Sequence, residues 1–131
     1  MDRDMLNRIE VERLLQELYA ARLAGDLDRL CRTFTEDARL EIAGVSYATP
    51  MAIKASGQAE IRTWLALLVK TFQLGEQEVL STIIDGASAA VQWRCKVRSR
   101  ITGASVATEL VDVVRIRDGR IASYTEFFVP R

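Results

Sequence analysis

The stretch Thr108–Ile121, TELVDVVRIRDGRI, decides the architecture. In an extended chain, Leu110, Asp112, Val114 and Ile116 fall on one face, and Glu109, Val111, Val113 and Arg115 on the other. Asp118-Gly119 is a hairpin signal that returns the chain as a partner strand, Ile121–Val129. Upstream, Val91, Trp93, Cys95, Val97 and Ile101 alternate with Gln92, Arg94, Lys96, Arg98 and Arg100, and Thr102-Gly103 turns that run into Val106–Ile116. Val79–Ile84 supplies a strand before it. The second half is therefore an antiparallel meander.

The first half keeps helical spacing instead. Met5, Ile9, Val11, Leu14, Leu15, Leu18, Tyr19 and Leu23 predict a helix over 5–23, and Gly25 is its stop. Asp26 can cap a short helix, Leu27–Phe34. Arg39–Ala43 reads as a strand and Gly44–Ala55 as a loop. Ser56–Phe72 is a second long helix, with Ile61, Trp64, Leu65, Leu68 and Phe72 as its inner stripe. This order gives one α+β domain over 1–131, with helices on one face of a curved sheet.

Composition narrows the chemistry. Hydrophobic residues make up 49% of the 131, enough for a sizeable core. Lys+Arg and Asp+Glu balance at 18 each, so neither nucleic acid nor an anionic membrane is an expected partner. No apolar run is long enough to span a membrane, and the N-terminal segment does not read as a secretory signal. Cys31 and Cys95 form no CxxC pair and read as free buried thiols of a cytoplasmic protein. There is no histidine, which removes imidazole bases and most transition-metal sites. Neither metal nor cofactor is expected, and acid–base work falls to carboxylates, Tyr, Lys or Cys.

Three segments carry a family resemblance: YAARLAGDLDRLCRTFTEDARLEIAG, SGQAEIRTWLALL and VVRIRDGRIASYTEFF. With GDLD after the first helix, F-x-x-D-A before the first strand and D-G-R-I in the last hairpin, the chain resembles the SnoaL-like branch of the nuclear-transport-factor-2-like superfamily. The resemblance covers nearly the whole chain and implies a cone-shaped, curved antiparallel sheet. Three helices would pack on its concave face (a cystatin-like α+β roll), leaving a pocket between. It also implies homodimers through the convex face, where Val111 and Val113 are the exposed candidates.

Reactions within that superfamily match unevenly. Against ketosteroid isomerase, Leu18 stands at the tyrosine position with Tyr19 one residue off, Ile42 replaces the base, and Asp112 alone matches the acidic donor. Against limonene-epoxide hydrolase, Trp93 and Cys95 replace the Arg and first Asp, and Glu126 matches the second. Scytalone dehydratase needs histidines that this chain lacks. A SnoaL-type polyketide cyclase, working with an acidic residue, remains compatible.

A type I turn with a glycine bulge at Arg117-Asp118-Gly119 would place Ile116 near Arg120, Asp112 opposite Tyr124, and Glu126 diagonal to it. Asp112, Glu126 and Tyr124 are thus the catalytic candidates. Trp93, Cys95, Phe128, Ile42 and Trp64 would wall the pocket, with Leu18 and Tyr19 from the first helix and Tyr47 as a loop lid. Two carboxyls in an apolar cavity would give a neutral acid beside an ionised base, suited to isomerisation, cyclisation or dehydration of a small hydrophobic carbonyl or polyketide-like compound. Three alternatives stay open: a non-catalytic ligand-binding or dimeric scaffold protein, an interaction module using the sheet face with Val111 and Val113, and a purely structural pairing of Asp112 with Tyr124. The basic row Arg94–Arg100 reads as a solvated outer face opposite Glu109.

Overall fold

Glycine and aspartate set the ends of the first two helices. The computed structural model describes residues 3–46 and 49–130. Helix α1 spans Arg3–Ala24, and Gly25 follows it in the left-handed region (φ 67°), where a residue without Cβ is unstrained. Asp26 then caps α2 (Leu27–Arg32), its carboxylate accepting from the Arg29 backbone N–H at 3.2 Å. Helix α3 is Gly57–Thr71. Six strands follow in chain order: β1 Phe34–Ser46, β2 Thr49–Ser56, β3 Phe72–Asp85, β4 Ser88–Ser99, β5 Ser105–Arg117 and β6 Arg120–Pro130.

These strands form one sheet, ordered β2-β1-β6-β5-β4-β3. The β3–β6 meander is antiparallel, whereas β1 lies parallel to β6. One face is apolar and buried under the helices: Leu40 and Ile42 of β1, Val91, Trp93 and Cys95 of β4, Leu110 and Val114 of β5, and Ile121 of β6. Val11, Leu15, Leu18 and Tyr19 of α1 and Ile61 and Leu65 of α3 complete that core. The fold is the expected α+β roll: a curled, open sheet carrying three helices.

Several boundaries differ from the sequence reading. The described parts of Gly44–Ala55 are strand rather than loop: residues 44–46 end β1 and residues 49–55 pair with it in the edge strand β2, where Pro50 costs no central ladder bond. Phe72 leaves the inner stripe of α3. Its N–H still bonds Leu68 O, but its backbone is extended (φ −126°, ψ 142°) and it opens β3. Leu23, in the last turn of α1, is exposed rather than core. Ile101 lies past the end of β4, 81% exposed beside the Gly103 turn.

The last hairpin also has another register. Asp118 and Gly119 both have positive φ (54° and 75°), so the turn is a two-residue one that pairs Arg117 with Arg120. The pairing then jumps from Ile116–Ile121 to Arg115–Ser123, leaving Ala122 as the extra residue of a β-bulge. Asp112 consequently sits opposite Glu126, not Tyr124, which pairs with Val114.

Candidate active site

The bulge at Ala122 makes the site. Continuing the alternation from buried Ile121 would turn Ser123 and Thr125 inward. One extra residue reverses that phase, so Tyr124 and Glu126 point into the core instead, 3% exposed each. Asp112 meets them from β5, fully buried. The structure thus brings all three catalytic candidates together, in a register two residues from the expected one.

Asp112 is the hub. Its Oδ2 accepts from Tyr19 Oη at 2.5 Å, from Tyr124 Oη at 2.5 Å and from Trp93 Nε1 at 2.8 Å. Its Oδ1 is buried and has no hydrogen-bond partner among the described residues. Tyr124 Oη also lies 2.9 Å from Glu126 Oε2, bridging the two carboxyls. Tyr19 and Trp93 meet edge-to-face, with ring centroids 5.3 Å apart. Tyr19 and Trp93 are therefore more than wall residues, since both donate to Asp112.

Arg22 was not among the candidates. It lies three residues beyond Tyr19 and four beyond Leu18, so it shares their inward helical face; a cation at that spacing is the signal that marks it. Its Nη1 pairs with Glu126 Oε2, its Nη2 donates to Oε1 at 3.3 Å, and Nη1 also donates to Tyr124 Oη at 3.0 Å. The guanidinium rests over the Trp93 ring, 5.2 Å from its centroid.

This arrangement separates the two acids. Burial, reinforced by the neighbouring Glu126, pushes the Asp112 carboxyl well above its ordinary value; Arg22 offsets that only in part. Burial would raise Glu126 too, but the Arg22 charge and the hydrogen bonds from Arg22 outweigh it, so Glu126 lies below its ordinary value. The two shifts are opposite in direction: Asp112 holds its proton to higher pH than an ordinary carboxyl, and Glu126 releases its proton more readily. Burial and the adjacent Asp112 also raise both Tyr19 and Tyr124, which stay protonated donors.

The remaining wall candidates are placed as follows. Leu18, Ile42 and Cys95 are buried in the core around the cluster, and burial pushes the Cys95 thiol up to about 11. Phe128 is partly buried, and Gly44 pairs with it across β1–β6. Trp64 packs partly on the core but also lines an outer depression of about 360 Å³ with Thr63, Ala66, Leu67 and Lys70. A polar depression of about 260 Å³ lies among Asp28, Cys31, Arg32, Glu36, Gln58, Arg62 and Arg120. Neither depression touches Asp112, Tyr124 or Glu126. Tyr47 lies outside the described residues. Of the basic row, Arg94 pairs with Glu78 and Lys96 with Glu76 on the sheet surface, and Arg100 donates to Val69 O. No described helix is long and apolar enough to cross a membrane.

A curled open sheet with three helices is the fold of nuclear-transport-factor-2-like proteins. The chain belongs to the SnoaL-like domain family, whose pattern matches residues 15–124. Solved structures agree on the fold. A Bacillus subtilis protein provisionally described as an isomerase superposes with a TM-score of 0.80 at 19% identity, covering 94% of this chain and 88% of that one. An LEH-like epoxide hydrolase from M. tuberculosis gives 0.74 at 18% identity, covering 92% and 84%. A Jannaschia protein provisionally described as a SnoaL-like polyketide cyclase gives 0.76 at 20% identity, covering 98% and 90%. Among curated proteins, none matches the chain in sequence.

Proposed function

We propose that the protein is a cofactor-independent enzyme that performs acid–base chemistry on a small, neutral, hydrophobic carbonyl compound. One observation carries the reading: Asp112 is buried with one oxygen held by three donors and the other without a hydrogen-bond partner among the described residues. A carboxyl placed only for structure would be satisfied on both oxygens. With Oδ2 occupied, the acid proton belongs on Oδ1, aimed at a ligand oxygen. Donation leaves a carboxylate whose charge falls on Oδ2, already surrounded by Tyr19, Tyr124 and Trp93. Glu126, ionised at neutral pH, is the available base. In an enolisation, the substrate C–H would break toward Glu126 while the Asp112 proton passes to the carbonyl oxygen. Reversal at another carbon would complete an isomerisation. The isomerase, polyketide-cyclase and epoxide-hydrolase descriptions of structural relatives support the class and leave the substrate open.

A ligand reaches this cluster by displacing part of its cover. Arg22 is the thinnest side, its side chain 16% exposed against 4% for Glu126. The test is α-hydrogen exchange of a neutral cyclic ketone in deuterium oxide, read by mass spectrometry. The protein should accelerate exchange, and Asp112→Asn or Glu126→Gln should each lower the rate by about 10²-fold or more. A ketone that binds and exchanges no faster than in buffer would make this a binding protein.

A second copy of the chain is the partner we assign to the outer sheet face. Val111, Val113, Phe127 and Val129 are all exposed there on adjacent strands, an apolar patch that favours self-association. Free buried thiols at Cys31 and Cys95 suit a cytoplasmic location.

A further inference from the structure

We propose that Arg22 is the positioning residue that assigns the proton of the carboxyl pair to Asp112 and the negative charge to Glu126. The inference rests on the acid–base reading above but concerns protonation, which can be measured without substrate.

The geometry is asymmetric. Asp112 and Glu126 are cross-strand partners on one buried face, where two ionised carboxylates repel strongly. The charged and titratable groups around them are Tyr19 and Arg22 from α1, Cys95 from β4 and Tyr124 from β6. Only Arg22 in that set is a cation, and it forks both oxygens of Glu126 while making no hydrogen bond to Asp112. One cation neutralises one carboxylate, so the other must hold its proton.

Arg22 also orients the bridge. Because Nη1 donates to Tyr124 Oη, the single tyrosine proton is free to point only toward a carboxyl oxygen. Asp112 Oδ2 at 2.5 Å is closer than Glu126 Oε2 at 2.9 Å. Tyr124 thereby joins Tyr19 and Trp93 as the third donor on Oδ2, which leaves Oδ1 as the proton-bearing atom. Arg22 acts through Glu126 and Tyr124, and its placement over Trp93 fixes the guanidinium plane.

The experiment is carboxyl ¹³C NMR titration of protein labelled at Asp and Glu, with signals assigned from Asp112→Asn and Glu126→Gln. In the unmodified protein, Glu126 should stay ionised below its ordinary range while Asp112 remains protonated near neutral pH. In Arg22→Gln the Glu126 midpoint should rise by about two pH units, and Arg22→Lys should restore most of that shift. Midpoints unchanged within error in Arg22→Gln, or a Lys variant no better than Gln, overturn the proposal. Should Arg22→Gln fail to fold, Arg22→Gln/Glu126→Gln should fold again, because the stranded charge leaves with its partner. A double variant as unstable as the single also overturns it. These outcomes are independent of turnover: shifted midpoints without ketone exchange would sink the enzymatic reading alone.

Discussion

Trp93 and Asp112, on adjacent strands, are joined by an indole-to-carboxyl hydrogen bond of 2.8 Å inside a fully buried setting. Trp93→Phe keeps an aromatic ring against Tyr19 and beneath Arg22 while deleting this donor. Removing one of three donors on a buried oxygen should cost about 1–3 kcal/mol, measured by urea denaturation. A variant as stable as the parent would mean the indole serves by packing alone.

The pH dependence of stability follows from the raised Asp112 carboxyl. Between its ordinary value of 3.8 and its higher folded-state value, the native protein binds more protons than the unfolded chain. Its contribution is therefore fully present below 3.8 and is lost as pH rises through the folded-state value. Glu126 runs the other way: its contribution is present above 4.5 and lost as pH falls through its lowered value. Asp112→Asn should flatten the decline on the alkaline side and leave the acid-side loss. Denaturation curves collected across pH check this, and a variant whose stability tracks the parent at every pH refutes it.

Gly44 is a site of close packing between β1 and β6. A Cβ built there would lie 2.6 Å from Phe128 Cδ1, Cε1 and backbone O, and the backbone atom cannot move aside cheaply. Gly44→Ala should destabilise the fold by about 2–3 kcal/mol in chemical denaturation. A loss below about 0.5 kcal/mol would show that the strands part without penalty.

The outer face gives a separate prediction. Val111 lies between Gln92 and Phe127 in the cross-strand row, 37% exposed. Val111→Lys should shift the protein toward monomer in sedimentation velocity while its far-ultraviolet circular dichroism stays the same. An unchanged sedimentation coefficient would remove this face from any dimer.

The sheet and helices were readable in the sequence because each relies on a local period. Val91–Val97 and Leu110–Ile116 alternate, and Val11–Tyr19 repeat at helical spacing. Asp112 was readable as inward for the same reason, whereas Tyr124 and Glu126 join it only through an expected hairpin register that sets Asp112 opposite Tyr124. Their actual register was not readable, because the Ala122 bulge depends on how the β5–β6 pair fits its neighbours rather than on a residue with a conformational signature. Edge strand β2 was hidden by Pro50 and Gly44, which usually mark loops. Arg22 was passed over because hydrophobic periodicity counts apolar positions, and a buried cation has meaning only beside Glu126, 104 residues away.

Strand β6 is the last of the six in sequence yet sits between β1 and β5 in space. The β1–β6 pairing therefore joins segments with β2, α3, β3, β4 and β5 between them in sequence, the longest-range strand pairing of the sheet. Tyr124 and Glu126 come with that same strand, so the cluster around Asp112 exists only once this non-local pairing is made.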